Sequence, residues 1–539
     1  MRLTAPAARR SRAEWEAVRK ACEADVARDP TPERLDALAE ALYWLDAADE
    51  ARTARQRAYS AYVEAGRKVE AARAAMWLAN EHFLAHGSRS AWNGWLTRAD
   101  HLLEGVAPGA EHGWLMFHRG RRDEDPARVA AASRAAIAVA KEHGDRDLDV
   151  LATSQLGRAL VSLGRGAEGF ALLDEAMARA TGGEVTSFTT LSDTCCNMLV
   201  TCERAAELER LSEWCHLTAE VSREWSSRVV FAFCRLNHAS ALMALGRWRE
   251  AEEALEAALA IHRVLYPAYG VHATARIAEL RVAQGRLEEA ADLLAAHAAN
   301  PVAARAVAEL HLARGEPAEA VAVVERRLDG LEDALEAVAL QLLLVEARLR
   351  AGDTAAARAA LGRLEASGAC AHHAVFDARA RLARGEVALA AGDEEALPHL
   401  EDALERFTAL DLPFDAARAR LGVAAALSPR HPEAALAAAR AARDGFAKLG
   451  AAAEADRAAE LVRALGGGGS GPRAGDALSK REREVLVLLR EGLSNEQIGK
   501  RLFISPKTVE HHVGHILAKL ELPNRVAAAA YASRHDLQG

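Results

Sequence analysis

The 539-residue chain predicts an all-α protein, a long array of helical pairs followed by a small domain of four helices. Three observations predict it. Half of the residues are hydrophobic, yet Phe, Trp and Tyr make up only 5%; the apolar half is mostly Ala, Leu and Val, small residues that suit closely packed helices. Helical periodicity dominates and no convincing alternating strand appears. A spaced signature also recurs: an apolar helix ending in Gly, then a polar pair, then a small residue five positions on.

That signature reads Gly246…Ala251 in ALGRWREAEEAL, Gly285…Ala290 in AQGRLEEAADLL, Gly315…Ala320 in ARGEPAEAVAVV and Gly352…Ala357 in RAGDTAAARAAL. Gly392…Ala396 is one residue shorter, and Gly164…Gly169 is an earlier, looser copy. Intervals from Gly246 onward are 39, 30, 37 and 40 residues. Gly supplies the left-handed conformation that ends the first helix of a pair, and the small residue lets the second helix pack closely against it. Pairs of this size cannot bury their apolar faces alone and must stack into an α-solenoid. The pattern resembles tetratricopeptide-type repeats, although its period drifts and most aromatic positions are missing. The same logic extends toward the N-terminus, where Asp46 stands in the glycine position five residues before Ala51. Trp15, Trp44, Trp77, Trp92, Trp95 and Trp114 cluster in the first 120 residues; they are read as core filling between helices, with a groove lining as the alternative.

After Leu465 comes Gly466-Gly467-Gly468-Gly469-Ser470-Gly471-Pro472, a Gly/Ser tether; no Lys follows to make it a phosphate loop. The chain therefore divides into an α-helical repeat region over 1–465, a flexible linker over 466–477 and a second domain over 478–539. In the last, Ser479 and Glu482 form a capping box opening a helix with the stripe Val485, Leu486, Leu488 and Leu489, stopped by Gly492. Ser494 and Gln497 form a second box before a short helix carrying Ile498 and Leu502. After a tight connection at Phe503-Ile504, Ser505 caps a third helix with Pro506 at its first position. Val509, Val513, Ile516 and Leu520 form its buried stripe; Pro523 breaks it, and Asn524 caps a fourth helix.

Composition and charge remove several classes. No stretch reaches the roughly 18 consecutive apolar residues of a membrane span. The segment MRLTAPAARRSRAEWEA carries charge but no apolar stretch, so a secretory signal is not expected. Seven cysteines, an odd number in a long chain, do not suggest a disulfide framework, and a reduced cytoplasmic setting is expected. Net charge is −9, but Leu478–Gly539 carries +3 against −12 for the rest, the asymmetry of a nucleic-acid-binding module on an acidic body. No HExxH, GxSxG or Walker A motif occurs, so an enzyme is not expected and no cofactor is called for.

Two short helices joined by a tight turn, the second polar opposite its stripe, form a helix-turn-helix. The stripe sends Lys507, Glu510, His511, Gly514 and His515 to the face a major groove would meet. Ser494, Asn495 and Thr508 offer N–H and hydroxyl donors suited to phosphate. LSKREREVLVLLREGLSNEQIGKRLFISPKTVEHHVGHILAKLELPNR closely resembles the C-terminal DNA-binding domain of LuxR-type (LuxR/FixJ) bacterial regulators, through RERE at Arg481–Glu484, GLSN at Gly492–Asn495, ISPKTVEHHV at Ile504–Val513, and KL with Arg525 downstream. The resemblance covers about 62 residues. It implies a four-helix domain whose third helix enters the major groove of double-stranded DNA and whose fourth supports a homodimer. It further implies base contacts from Glu510, His511 and Gly514 and phosphate contacts near Lys507, Thr508 and Lys519. Relatives often carry Lys where Glu510 stands and a polar or basic residue where Gly514 stands.

Other readings stand beside these. Lys507 and Lys519 suit ordinary solvated helix positions, and Lys500-Arg501 suits neutralisation of a helix C-terminus as well as phosphate contact. His511, His512 and His515 lack a carboxylate or Cys spaced to complete a metal site, and none is assigned. Cys195, Cys196, Cys202, Cys215 and Cys234 match no metal motif and read as small core residues, with oxidant sensing the alternative. The chain is expected to be a transcription regulator acting on inverted-repeat DNA, under control of an unknown protein or small-molecule effector at the repeats. The alternative is a helical-repeat interaction scaffold with weak, non-specific DNA binding.

Overall fold

The computed structural model describes residues 11–225, 228–370, 373–466, 478, 480–491, 493–502, 504–520, 522 and 524–534. Of the expected linker over 466–477, Gly466 instead ends the helix Ala452–Gly466, and 467–477 lie outside the described residues, as do the expected cap at Ser479, the stop at Gly492, Phe503 of the connection and the break at Pro523. Among the described residues there are 28 α-helices and no strand, and no helix is long and apolar enough to cross a membrane. The chain forms two compact units, Met1–Leu461 and Val462–Gly539.

In the first unit, antiparallel helix pairs follow one another. First helices begin at Pro32, Lys68, Ala110, Arg146, Phe188, Arg228, Pro267, Ala304, Ala334, Ala374 and Pro413. The recurring glycine sits where the pair turns: Gly164, Gly246, Gly285, Gly315, Gly352 and Gly392 all have φ between 72° and 79°, the region an L side chain rarely enters. Asp46 adopts it too, at φ 63°, so the aspartate does occupy the glycine position. The small residue five places on is buried against the partner helix: Ala51, Ala251, Ala290, Ala320 and Ala357 are all fully buried. Where Gly169 takes that place, a methyl group would lie 2.5 Å from the carbonyl oxygen of Gly157; the two backbones touch, and no side chain fits between them.

Two left-handed turns escape the glycine signature, one within a pair and one between pairs. Ala206 (φ 55°) precedes buried Leu211, and Asp411 (φ 54°) precedes buried Ala416. Tertiary packing holds these residues where their local preference would not. The unit is an α-solenoid of tetratricopeptide-like pairs.

This solenoid coils tightly enough for distant pairs to meet. Helix Pro267–Ala283 packs on Lys68–His86, and Ala334–Arg350 on Arg146–Ser162. Trp248 meets Phe414 with ring centroids 5.7 Å apart, and His373 Nδ1 lies 3.3 Å from the Glu207 carboxylate. First helices from many pairs thereby line an open-mouthed chamber of about 790 Å³, within the range of small-molecule sites.

Trp15 and Trp92 are buried, and Trp44, Trp77, Trp95 and Trp114 pack half-buried against core clusters. Trp44 also lines the chamber. Cys195, Cys202, Cys215 and Cys234 belong to the largest core cluster. Burial pushes the Cys202 thiol up to about 12 and that of Cys234 to about 11, which keeps both protonated and unreactive at neutral pH. Among the described residues no three His, Cys, Asp or Glu side chains are placed to hold a metal ion.

Candidate nucleic-acid interface

The second unit holds four helices, α1 (Lys480–Arg490), α2 (Asn495–Leu502), α3 (Pro506–Lys519) and α4 (Arg525–Arg534). Val485, Leu486 and Leu489 of α1, Ile498 of α2, Val509 and Ile516 of α3, and Ala528 and Ala532 of α4 meet in one core. Val513 and Leu520 complete the stripe of α3 half-buried. Burying this stripe fixes the rotation of α3 about its own axis, because every other side chain follows at 100° per residue.

The helix starts are capped locally. Ser494 N–H donates to Gln497 Oε1 at 2.8 Å, and Gln497 N–H donates back to Ser494 Oγ at 3.3 Å, a reciprocal capping box. Ser505 Oγ accepts from Thr508 N–H at 3.1 Å, with Pro506 at the first helical position. Asn524 Oδ1 accepts from Ala527 N–H at 2.9 Å at the start of α4.

Lys507, Thr508, Glu510, His511, Gly514 and His515 are all exposed on α3. Lys507, Glu510, His511 and Gly514 follow the i, i+3, i+4, i+7 spacing of a single face. A Cβ built at Gly514 would meet nothing within 4 Å, so this face has a flat, open centre. The rings of His511 and His515 stand edge to face with centroids 6.2 Å apart. Ser494 is exposed and Asn495 half-buried at the start of α2.

Lys519, an expected phosphate contact, and Arg525, which also carries the family resemblance, are already engaged inside the domain. Lys519 Nζ lies 2.7 Å from the carboxylate of Glu482, which is buried on α1, and His515 Nδ1 lies 3.8 Å from the same carboxylate. The pair ties the end of α3 to α1. Arg525 donates to Asn495 Oδ1 at 3.2 Å and to the Leu493 carbonyl at 2.8 Å, tying α4 to the start of α2. Lys500 and Arg501 pair with Glu496 and Glu491, both at 3.1 Å.

One structural residue is not evident from the spacing. Gly499, in the middle of α2, lies under the turn: a Cβ there would come 2.7 Å from the Ile504 carbonyl oxygen, and the Gly499 carbonyl accepts from Ile504 N–H at 3.0 Å. Its signal in the sequence is a glycine inside a helix too short to afford the loss of propensity.

Residues 476–532 match the family described as bacterial regulatory proteins, luxR family. The second unit is a LuxR-family helix-turn-helix domain. The chain is 41% identical over 98 residues to the transcriptional regulatory protein LiaR of Bacillus subtilis, covering 18% of this chain and 44% of that protein. It is 50% identical over 62 residues to a putative HTH-type transcriptional regulator of Mycobacterium tuberculosis, covering 12% and 7%. It is 44% identical over 62 residues to the response regulator protein VraR of Staphylococcus aureus, covering 12% and 30%. The chain thus spans less than half the length of each of these relatives. A solved structure, the APC/C hetero-tetramer Cut9–Hcn1, aligns with 98% of the chain and 94% of its own at 13% identity and a TM-score of 0.40.

Proposed function

We propose that the protein is a cytoplasmic transcription regulator that binds double-stranded DNA as a homodimer on an inverted repeat, under control of an effector held by the repeat unit. The observation that carries the reading is the exposed Lys507–Glu510–His511–Gly514 face of α3, set opposite the buried Val509 and Ile516 in a LuxR-family domain.

On this reading α3 lies in the major groove. Glu510 accepts from cytosine N4, and His511 or His515 donates to guanine. Gly514, with no side chain, lets the helix backbone approach the base edges. Ser494, Asn495, Lys507 and Thr508 anchor phosphates at the starts of α2 and α3. Lys519 and Arg525, each holding an acceptor within the domain, act chiefly by fixing α3 and α2, with a phosphate as a second partner.

The test is selection of sites from random duplex DNA by the full chain at two salt concentrations. An enriched inverted repeat with half-sites about 10 base pairs apart is expected, and its loss in the double variant Glu510→Ala, His511→Ala. Salt-sensitive binding without enrichment would mean phosphate contact alone, overturning specific recognition in favour of an interaction scaffold. Control by the repeats is tested by comparing residues 472–539 with the full chain; equal affinity and equal dimerisation would refute it.

A further inference from the structure

The chamber of the repeat unit is lined by arginines and carboxylates in nearly equal number, but their pairing is uneven. Most of its arginines hold a carboxylate: Arg121 meets Asp193 at 2.8 Å, Arg204 meets Asp333 at 2.6 Å, and Arg276 meets Glu279 at 2.7 Å. Arg305, Arg327 and Arg379 are paired likewise with Glu309, Glu336 and Asp415. The chamber's carboxylates beyond these have other arginines, as Asp123 and Asp125 have Arg128 and Glu124 has Arg89; the exception, Glu332, is solvent-exposed. Two arginines remain without a carboxylate among the described residues.

The first is Arg158, on helix Arg146–Ser162. It lines the chamber half-buried, and among the described residues no hydrogen bond or ion pair engages its guanidinium. Burial, with repulsion from Arg204, Arg121 and Arg122, pulls its pKa down to about 10, so it remains charged at neutral pH. The second is Arg122. Its guanidinium lies 4.0 Å from the Phe83 ring centroid and 5.5 Å from that of Trp92, donates to Tyr269 Oη at 2.8 Å and to Asn80 Oδ1 at 3.4 Å, and leaves its buried Nε without a partner. The Ser240 hydroxyl, also on the chamber wall, is buried without a partner. A desolvated cation is costly unless an anion meets it, and unsatisfied donors in a cavity of this size describe what is to fill it. Tyr43, Trp44, Tyr266, Phe233 and Phe376 supply apolar wall.

We propose that this chamber binds a small organic anion, its carboxylate or phosphate group held by Arg158 and Arg122 and its aromatic or apolar body against Trp44 and the tyrosines. The guanidinium fork suits both groups, since each accepts two parallel N–H bonds. The inference names the chemical class of the effector and rests on reading the repeat unit as the effector-binding part.

The experiment is titration of the full chain with phenyl phosphate, phenylacetate and inorganic phosphate, read by tryptophan fluorescence and by thermal denaturation. At least one aromatic anion is expected to bind saturably and to raise the unfolding temperature, as a ligand specific to the folded state must. The phenyl phosphate and phenylacetate arms distinguish the two anionic groups, and inorganic phosphate reports what the charge contributes without the ring. Arg158→Met is expected to weaken binding at least about tenfold while unfolding, ligand-free, at the same or a higher temperature, because it deletes a charge that nothing offsets. Arg158→Lys, which keeps the charge but loses the fork, is expected to fall between. The proposal is overturned if neither aromatic anion binds at about 10 mM, if Arg158→Met binds as the parent does, or if ligand-free Arg158→Met melts lower, which would make Arg158 a structural tie. Site selection by the full chain with the bound anion present reads DNA recognition and the titration reads the chamber, so failed DNA specificity with intact anion binding would refute the regulator and leave the chamber site standing. An anion that binds without altering DNA affinity would refute control by the repeats only.

Discussion

Glu81 makes the stability of the repeat unit depend on alkaline pH. It lies on helix Lys68–His86 with 1% of its surface exposed, and neither carboxylate oxygen has a hydrogen-bond partner. Burial raises its pKa from 4.5 to about 8 despite the nearby Arg52 and Arg55. Between those two values the folded chain keeps a proton that the unfolded chain has lost, so raising the pH favours unfolding. The stability is complete below about 4.5 and drains away as pH climbs to about 8. At about 1.4 kcal/mol per unit of pKa difference, Glu81 alone removes about 3 kcal/mol between pH 5.5 and pH 8.5. The perturbation is Glu81→Gln, which keeps the volume and cannot ionise. All nine tryptophans lie before residue 249, so urea unfolding followed by tryptophan fluorescence reports the first unit. The variant is expected to gain about 3 kcal/mol on the parent between pH 5.5 and pH 8.5. Parallel pH profiles for the two proteins would refute the reasoning, because they would mean that Glu81 is solvated or paired in the folded state.

Further outcomes follow from the same structure. On the acid side, burial lowers His118 to about 3 and both His262 and His272 to about 4; these groups stay neutral while the unfolded chain takes up protons below about 6.5. Stability is therefore lost as pH falls from 7 to 5, by about 2 kcal/mol for each histidine, and His262→Leu should remove its share in the same urea measurement. Gly499→Ala should loosen the helix-turn-helix by about 1–2 kcal/mol, overpacking outweighing the gain in helix propensity; hydrogen exchange over 493–520 should quicken and DNA affinity fall. Gly514→Lys meets open space within the protein, so the domain should stay folded, but the added side chain should hold the α3 backbone off the base edges and weaken binding to the selected site by at least about tenfold; unchanged affinity would mean that this face of α3 does not meet DNA.

The second domain was legible because its information is local. Capping residues, a stripe of Val and Ile, and a proline at a helix start each act within a few residues, and one buried stripe fixes the exposed face of α3 at Lys507, Glu510, His511 and Gly514. The roles of Glu482 and Arg525 were not legible: Glu482 reads as half of a capping box, yet its partner Lys519 is 37 residues away. The repeat turns at Gly246, Gly285, Gly315 and Gly352 were legible because a left-handed residue requires glycine wherever packing does not impose it. Ala206 and Asp411 were not, since only the packed neighbours hold them there.

The sequence by itself determined the helical class, the pairing of helices and the outward face of α3, all consequences of periodicity, glycine and caps acting at short range. Only the tertiary structure decided that the solenoid curls until Pro267–Ala283 meets Lys68–His86, and that Arg158 and Arg122 stand in the chamber without carboxylates. Curvature is the sum of small rotations at every pair, and charge compensation depends on which side chains that sum brings face to face; neither is written in any one stretch of residues.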